Sequence, residues 1–107
     1  MLRVMLVDDE PMALEGMQLL IDWEKEGFEI VSRCLSGAEA LERLSDARPD
    51  LVMTDLSMPE IDGLSLIKRA RGAGYEGRFI IASGYEDFER ARQALSLGVD
   101  GYILKPI

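Results

Sequence analysis

Short runs of Val, Ile and Leu alternate along this chain with longer stretches in which apolar residues recur every three or four positions. The apolar runs fall at 2–7, 28–34, 51–54, 79–82 and 101–104. Runs this short and this continuous suit strands buried on both faces of a parallel sheet. The periodic stretches predict helices. Residues 11–24 carry Leu14, Met17 and Ile21, with Pro11 in the first turn, where a missing N–H costs little. Residues 36–47 open on Ser36-Gly37-Ala38-Glu39, a capping box, and put Ala38, Leu41 and Leu44 on one face. Residues 63–71 present Leu64, Ile67 and Ala70 or Arg71, then stop at Gly72. Residues 86–97 align Phe88, Ala91 and Leu95 ahead of Gly98, a residue suited to a helix C-terminus.

Strand and helix alternating from end to end predict an α/β doubly wound fold. At ~100–200 residues per domain, 107 residues hold one core and no second module. The chain stops at Ile107, directly after the fifth predicted strand. A doubly wound sheet needs helices on both faces. The expectation is therefore a fragment, or a sheet face filled by a neighbouring molecule.

Composition narrows the function. Twelve Lys+Arg against 20 Asp+Glu leave a net charge of −8, which repels nucleic-acid backbones and anionic lipid. There is no histidine, which excludes His-based triads, His-ligated zinc and a phosphohistidine on this chain. Cys34 is the only cysteine; it predicts a small buried side chain at a strand end, and no intrachain disulfide, as suits a reducing cytoplasm. The apolar opening Met1–Val7 reaches Asp8 too soon to span a membrane or to be a cleaved signal. The basic cluster Lys68-Arg69-Ala70-Arg71 reads as the solvated last turn of a helix.

Open parallel sheets bind ligands outside the carboxyl ends of their strands, and that is where the polar residues fall. The first strand runs into Asp8-Asp9-Glu10, the third into Asp55, the fourth into Ser83-Gly84 and the fifth into Lys105-Pro106. Each has an ordinary role if taken singly: Asp8 or Asp9 as a helix N-cap, Asp55 in a turn, Ser83 as a cap, Lys105 at an exposed strand end. Taken together they make one crevice. Clustered carboxylates call for a cation, and oxygen donors alone suit Mg²⁺. Lys105 supplies a point charge for phosphate, Ser83 a hydroxyl donor, and Asp55 a carboxylate nucleophile able to form an acyl phosphate.

With these residues in view, the chain resembles the response-regulator receiver domains of bacterial two-component signalling, over its whole length. The carrying motifs are Leu6-Val7-Asp8-Asp9-Glu10, Asp50 through Pro59, Ile61-Asp62-Gly63-Leu64, Ala82-Ser83-Gly84-Tyr85 and Tyr102-Ile103-Leu104-Lys105-Pro106. The resemblance implies a flavodoxin-like five-stranded parallel sheet of order 2-1-3-4-5, lacking the family's last helix. That makes residues 1–107 a receiver cut short after the fifth strand. It implies Asp55 as phosphoacceptor and Mg²⁺ bound by Asp8, Asp9, Asp55 and the Ser57 backbone carbonyl. It assigns Lys105 and Ser83 to the phosphoryl oxygens, and Ser83 with Tyr102 to the switch. Ser83 stands where many members have Thr, and the hydroxyl is kept. The implied partners are a sensor histidine kinase, a C-terminal DNA-binding output domain controlling transcription, and a second copy in a homodimer. This chain itself has no nucleic-acid or membrane contact, and its location is cytoplasmic. Ser83 through Phe88 and Ile21 through Glu24 further resemble receivers fused to AraC-type DNA-binding domains.

Three rivals are weighed against that reading. A Mg²⁺-dependent phosphohydrolase wants an acid two residues after its nucleophile, where this chain has Ser57. A flavin binder needs a phosphate-cradling loop after the first strand, where Asp8-Asp9-Glu10 repels phosphate. A receiver degenerate in chemistry and used only for interaction would not need the full acidic set.

Overall fold

The computed structural model describes residues 1–84 and 87–105, and only the backbone of Phe88. Tyr85, Glu86, Pro106, Ile107 and the Phe88 side chain, which the sequence reading invoked, lie outside the described residues. Five parallel strands, β1 (Leu2–Val7), β2 (Phe28–Cys34), β3 (Leu51–Asp55), β4 (Arg78–Ser83) and β5 (Gly101–Leu104), pair in the order β2-β1-β3-β4-β5. Between them run α1 (Pro11–Leu20), α2 (Gly37–Ala47), α3 (Gly63–Gly72) and α4 (Phe88–Ser96). The α/β doubly wound expectation holds, with the 2-1-3-4-5 order.

The period-two alternation of the strands builds a core on each face. Met5 and Val7 of β1, Val52 of β3 and Phe79 and Ile81 of β4 face Ala40, Leu64, Ile67, Ala70, Ala91 and Ala94 from α2, α3 and α4. Val4, Leu6, Leu51, Met53 and Ala82 face the other way, onto Leu14 and Met17 of α1 and onto Trp23. Ile80 and Ile103 on this second face are only half-buried. Among the described residues no helix but α1 packs on it.

Local chemistry explains where the helices begin and end. Pro11 opens α1 as expected. The helix stops at Leu20 instead of running to 24, because Ile21 turns extended (φ −131°) and Asp22 accepts the Lys25 N–H at 3.3 Å. That turn buries Trp23, whose indole N–H donates to the Met17 carbonyl at 3.1 Å. Ser36 caps α2 by accepting the Glu39 N–H at 3.0 Å. Glu39 answers one residue earlier than a standard capping box, accepting the Leu35 N–H at 2.8 Å.

Two face assignments needed correction. Ala38 is exposed, and the inner stripe of α2 passes through Gly37 and Ala40 with Leu41, Leu44 and Ala47. A strict spacing of three drifts off the face of a helix with 3.6 residues per turn. Leu95 is 58% exposed, while Ala94 is fully buried; at ~100° per residue, the position after Ala94 lies on the rim. Cys34 is buried as expected, its Sγ 3.4 Å from the Ser32 hydroxyl, and burial pushes its thiol pKa up. In the basic cluster, Lys68 and Arg69 are exposed. Arg71 instead folds back, donating to the Tyr75 and Gly77 carbonyls at 2.9 and 2.7 Å.

The turn from β3 into α3 depends on a missing side chain. A Cβ on Gly63 would lie 2.4 Å from the Asp55 carbonyl oxygen and 2.8 Å from the Leu56 Cα. Both are backbone atoms that cannot step aside. Gly63→Ala is expected to cost about 1–3 kcal/mol by overpacking, read as a lower urea midpoint at unchanged m-value. An unchanged midpoint would contradict this packing.

Candidate functional site

Strand register sets the site. Val7 pairs with Thr54, Asp55 with Ala82, and Ser83 with Leu104. Asp8, Asp55, Ser83 and Lys105 therefore emerge side by side at the carboxyl edge of neighbouring strands, where the sequence placed them. One carboxylate oxygen from each of Asp8, Asp9 and Asp55 lies within 4.8 Å of the others. Asp8 is fully buried, Asp55 is 7% exposed and Asp9 is half-exposed.

Lys105 crosses from β5 over β4 and β3 to reach this cluster. Its ammonium donates to Asp8 Oδ2 at 2.7 Å and stands 3.3 Å from Asp55 Oδ2. The Lys105 N–H donates to the Ser83 carbonyl at 2.7 Å, which anchors the residue to the end of β4. Asp55 Oδ1 accepts the Leu56 N–H at 2.8 Å, and the Thr54 hydroxyl donates to the Asp55 carbonyl at 2.9 Å. Asp8 Oδ1 accepts the Glu10 N–H at 3.0 Å. Asp8 does not cap α1: Glu10 holds the N-cap position, and no side chain closes it.

Crowding shows in the protonation energetics. Burial first, and then the charge of Asp8, hold the Asp55 carboxyl above its ordinary value; Lys105 and the Ser57 N–H oppose this without reversing it. For Lys105, burial favours the neutral amine. The hydrogen bond to Asp8 and the charges of Asp55 and Asp8 outweigh it and raise the ammonium pKa. The site is thus a cluster of acids held together by one half-buried cation, an arrangement suited to a metal ion or to an incoming phosphoryl group.

Ser57 lies in the loop after β3 with its side chain exposed. Ser83 is fully buried, and its hydroxyl donates to Asp87 Oδ2 at 3.0 Å. Tyr102 is 38% exposed on β5, in register with Ile81. So Asp8, Asp9, Asp55 and Lys105 come together, while Ser83 has its hydroxyl engaged elsewhere and Tyr102 stands outside.

A second polar group beside the site escaped the sequence reading. Arg90 of α4 donates to Asp62 Oδ2 at 2.5 Å and to the Leu56 carbonyl at 3.0 Å, and faces Asp87 Oδ1 at 3.4 Å. Asp62 also caps α3 by accepting the Ser65 N–H at 2.8 Å. Burial alone would raise its carboxyl pKa, but the Ser65 N–H and Arg90 bring it below the ordinary value. An Asp directly before Gly63 is a readable N-cap signal. The contact of Arg90 across 28 residues has no local signature.

Comparison with known proteins agrees with this fold. Residues 4–107 match the response regulator receiver domain family. The chain is 40% identical over 106 residues to the transcriptional regulatory protein YesN of Bacillus subtilis, covering 99% of this chain and 29% of that protein. It is 33% identical over 103 residues to the probable C4-dicarboxylate response regulator DctR of Priestia megaterium, covering 96% and 45%. Among solved structures, the REC domain of AraT, a response regulator from Geobacillus stearothermophilus, superposes with a TM-score of 0.90 at 41% identity, covering 98% of this chain and 81% of that one. The chain thus spans less than half the length of either YesN or DctR. A doubly wound sheet of this order, an acidic cluster at its carboxyl edge and a family match over nearly every residue lead to one conclusion: this chain belongs to the response regulator receiver domain family.

Proposed function

We propose that this domain is a phosphorylation switch in which Asp55 accepts a phosphoryl group from the phosphohistidine of a sensor kinase. The observation that carries the reading is the meeting of Asp8, Asp9 and Asp55 within 4.8 Å, with Lys105 bridging Asp8 and Asp55. An Asp55 carboxylate oxygen attacks the phosphorus. The N–P bond of the donor breaks, and its electron pair stays on the departing imidazole. Positioning and charge compensation do most of the work in such a transfer. Asp55 is held by the Leu56 N–H at the buried end of β3, which fixes the direction its carboxylate faces.

The donor set fits Mg²⁺, being all oxygen: Asp8, Asp9 and Asp55, with the Ser57 carbonyl in the loop after β3. When bound, Mg²⁺ offsets the negative charge gathered on acceptor and donor oxygens. Lys105 then serves the phosphoryl oxygens. Water attack on the phosphorus releases inorganic phosphate and restores the carboxylate, so the domain resets without being a turnover enzyme.

Phosphorylation adds about 1.5–2 negative charges at the sheet edge. Ser83 turns to donate to the new oxygens, and Tyr102 moves inward behind it, re-posing α4. The output is a DNA-binding domain C-terminal to these residues, of the AraC type, since Ser83–Phe88 and Ile21–Glu24 resemble receivers fused to such domains, and the regulator controls transcription in the cytoplasm as a homodimer. Among the described residues no helix is long and apolar enough to cross a membrane.

Intact mass after incubation with acetyl phosphate tests the reading. The expected result is a gain of one phosphoryl group that needs Mg²⁺ and is lost in Asp55→Asn; no gain in the wild type would overturn it. The same charge cluster makes a stability prediction. A carboxylate whose folded pKa is raised is destabilising while ionised, and the penalty fades as pH falls through that pKa. Without Mg²⁺ at pH 7, Asp55→Asn should therefore unfold at higher temperature than wild type. The difference should shrink when both are acidified, and an Asp55→Asn Tm below wild type at pH 7 would contradict it.

A further inference from the structure

The Ser83 hydroxyl has one hydrogen to donate, and in this structure it goes to Asp87 Oδ2 at 3.0 Å. Asp87 is itself 7% exposed, and its other oxygen faces Arg90 at 3.4 Å. Arg90 continues to Asp62 Oδ2, at the cap of α3, and to the Leu56 carbonyl, one residue beyond Asp55. A polar chain therefore leads from the end of β4 through α4 to the loop that carries the phosphoacceptor. Asp87 also stands at the N-cap position of α4, where an Asp side chain ordinarily accepts an N–H of the first turn. It makes no such bond here: its backbone (φ −98°, ψ 16°) is not the extended conformation of a capping residue, and its two oxygens face Ser83 and Arg90 instead.

We propose that Asp87 is a positioning residue that keeps the Ser83 hydroxyl away from Asp55 until phosphorylation, with Arg90 fixing Asp87 in place. The inference rests on the reading of Asp55 as phosphoacceptor. A single hydroxyl hydrogen cannot serve Asp87 and a phosphoryl oxygen together, so the two bonds define two exclusive states. When Ser83 leaves, Asp87 loses one of its two partners, and the move of one hydroxyl becomes a change in what holds the residue that opens α4. Arg90 carries that change to Asp62 and Leu56, tying the starts of α3 and α4 to the state of the site.

Calorimetric titration with beryllium trifluoride, a phosphoryl mimic, in magnesium buffer tests the latch at equilibrium. Wild type, Asp87→Ala, Asp87→Asn, Ser83→Ala and the Ser83→Ala/Asp87→Ala double variant are compared. Releasing a charge-assisted hydrogen bond is expected to tighten binding to Asp87→Ala about tenfold. The isosteric Asp87→Asn should move the same way by less, and it carries the test if the Ala variant fails to fold. In the Ser83→Ala background, Asp87→Ala should change nothing, whereas a merely structural role would persist there. Variants equal to or weaker than a binding wild type, or an equal gain without the Ser83 hydroxyl, would overturn the latch alone. A wild type that binds no beryllium trifluoride would overturn the phosphoacceptor reading as well.

Discussion

Asp8 and Asp55 hold buried carboxylates whose oxygens lie within 4.8 Å. At an effective dielectric near 20 that proximity is a repulsion on the order of 3–4 kcal/mol. The molecule is arranged around tolerating it. Lys105 provides the counter-charge, and it lies 97 residues from Asp8. It reaches the cluster because β5 pairs beside β4 and the Lys105 N–H is tied to the Ser83 carbonyl. The sheet order is thus a functional requirement as well as an architectural one. Placing strands one, three, four and five in that register brings the acids and their cation to one edge.

Much of this was legible in the chain. Both faces of the central strands are buried, so their residues read as continuous apolar runs, and each run ends where the site begins. Asp8, Asp9, Asp55 and Lys105 are legible as one group because each follows the carboxyl end of a strand, the edge at which open parallel sheets bind ligands. The helix faces were read less well. Spacing alone points Ala38 and Leu95 inward, whereas the small alanines at 40, 91 and 94 are what let α2 and α4 approach the sheet. The end of α1 was missed because burial of Trp23, a tertiary demand, overrode helical periodicity at 21–24. Asp62 carries a helix-cap signal, but its contact with Arg90 has none, since the two residues are brought together only by the packing of α4 beside the start of α3.

The site and the network beside it divide the labour. Asp8, Asp9, Asp55 and Lys105 sit on strand ends backed by two packed cores, a rigid mounting for a cluster of opposed charges. Ser83, Asp87, Arg90 and Asp62 span β4, α4 and the start of α3, and their hydrogen bonds can be exchanged without moving the sheet. Burial and the charge of Asp8 raise the Asp55 carboxyl pKa within the first group. Gly63 allows both groups to lie this close, because its lack of a side chain brings the start of α3 against the backbone of Asp55 and Leu56.

The central claim is that Asp55, and no other acid of the cluster, takes the phosphoryl group. Borohydride reduces an acyl phosphate to the alcohol, converting the phosphorylated aspartate to homoserine, which peptide mass mapping then locates. After treatment with a phosphodonor and Mg²⁺, the account predicts homoserine at position 55 and unmodified aspartate at positions 8 and 9. Homoserine at position 8 or 9, or phosphorylated protein with aspartate intact at 55, would contradict it.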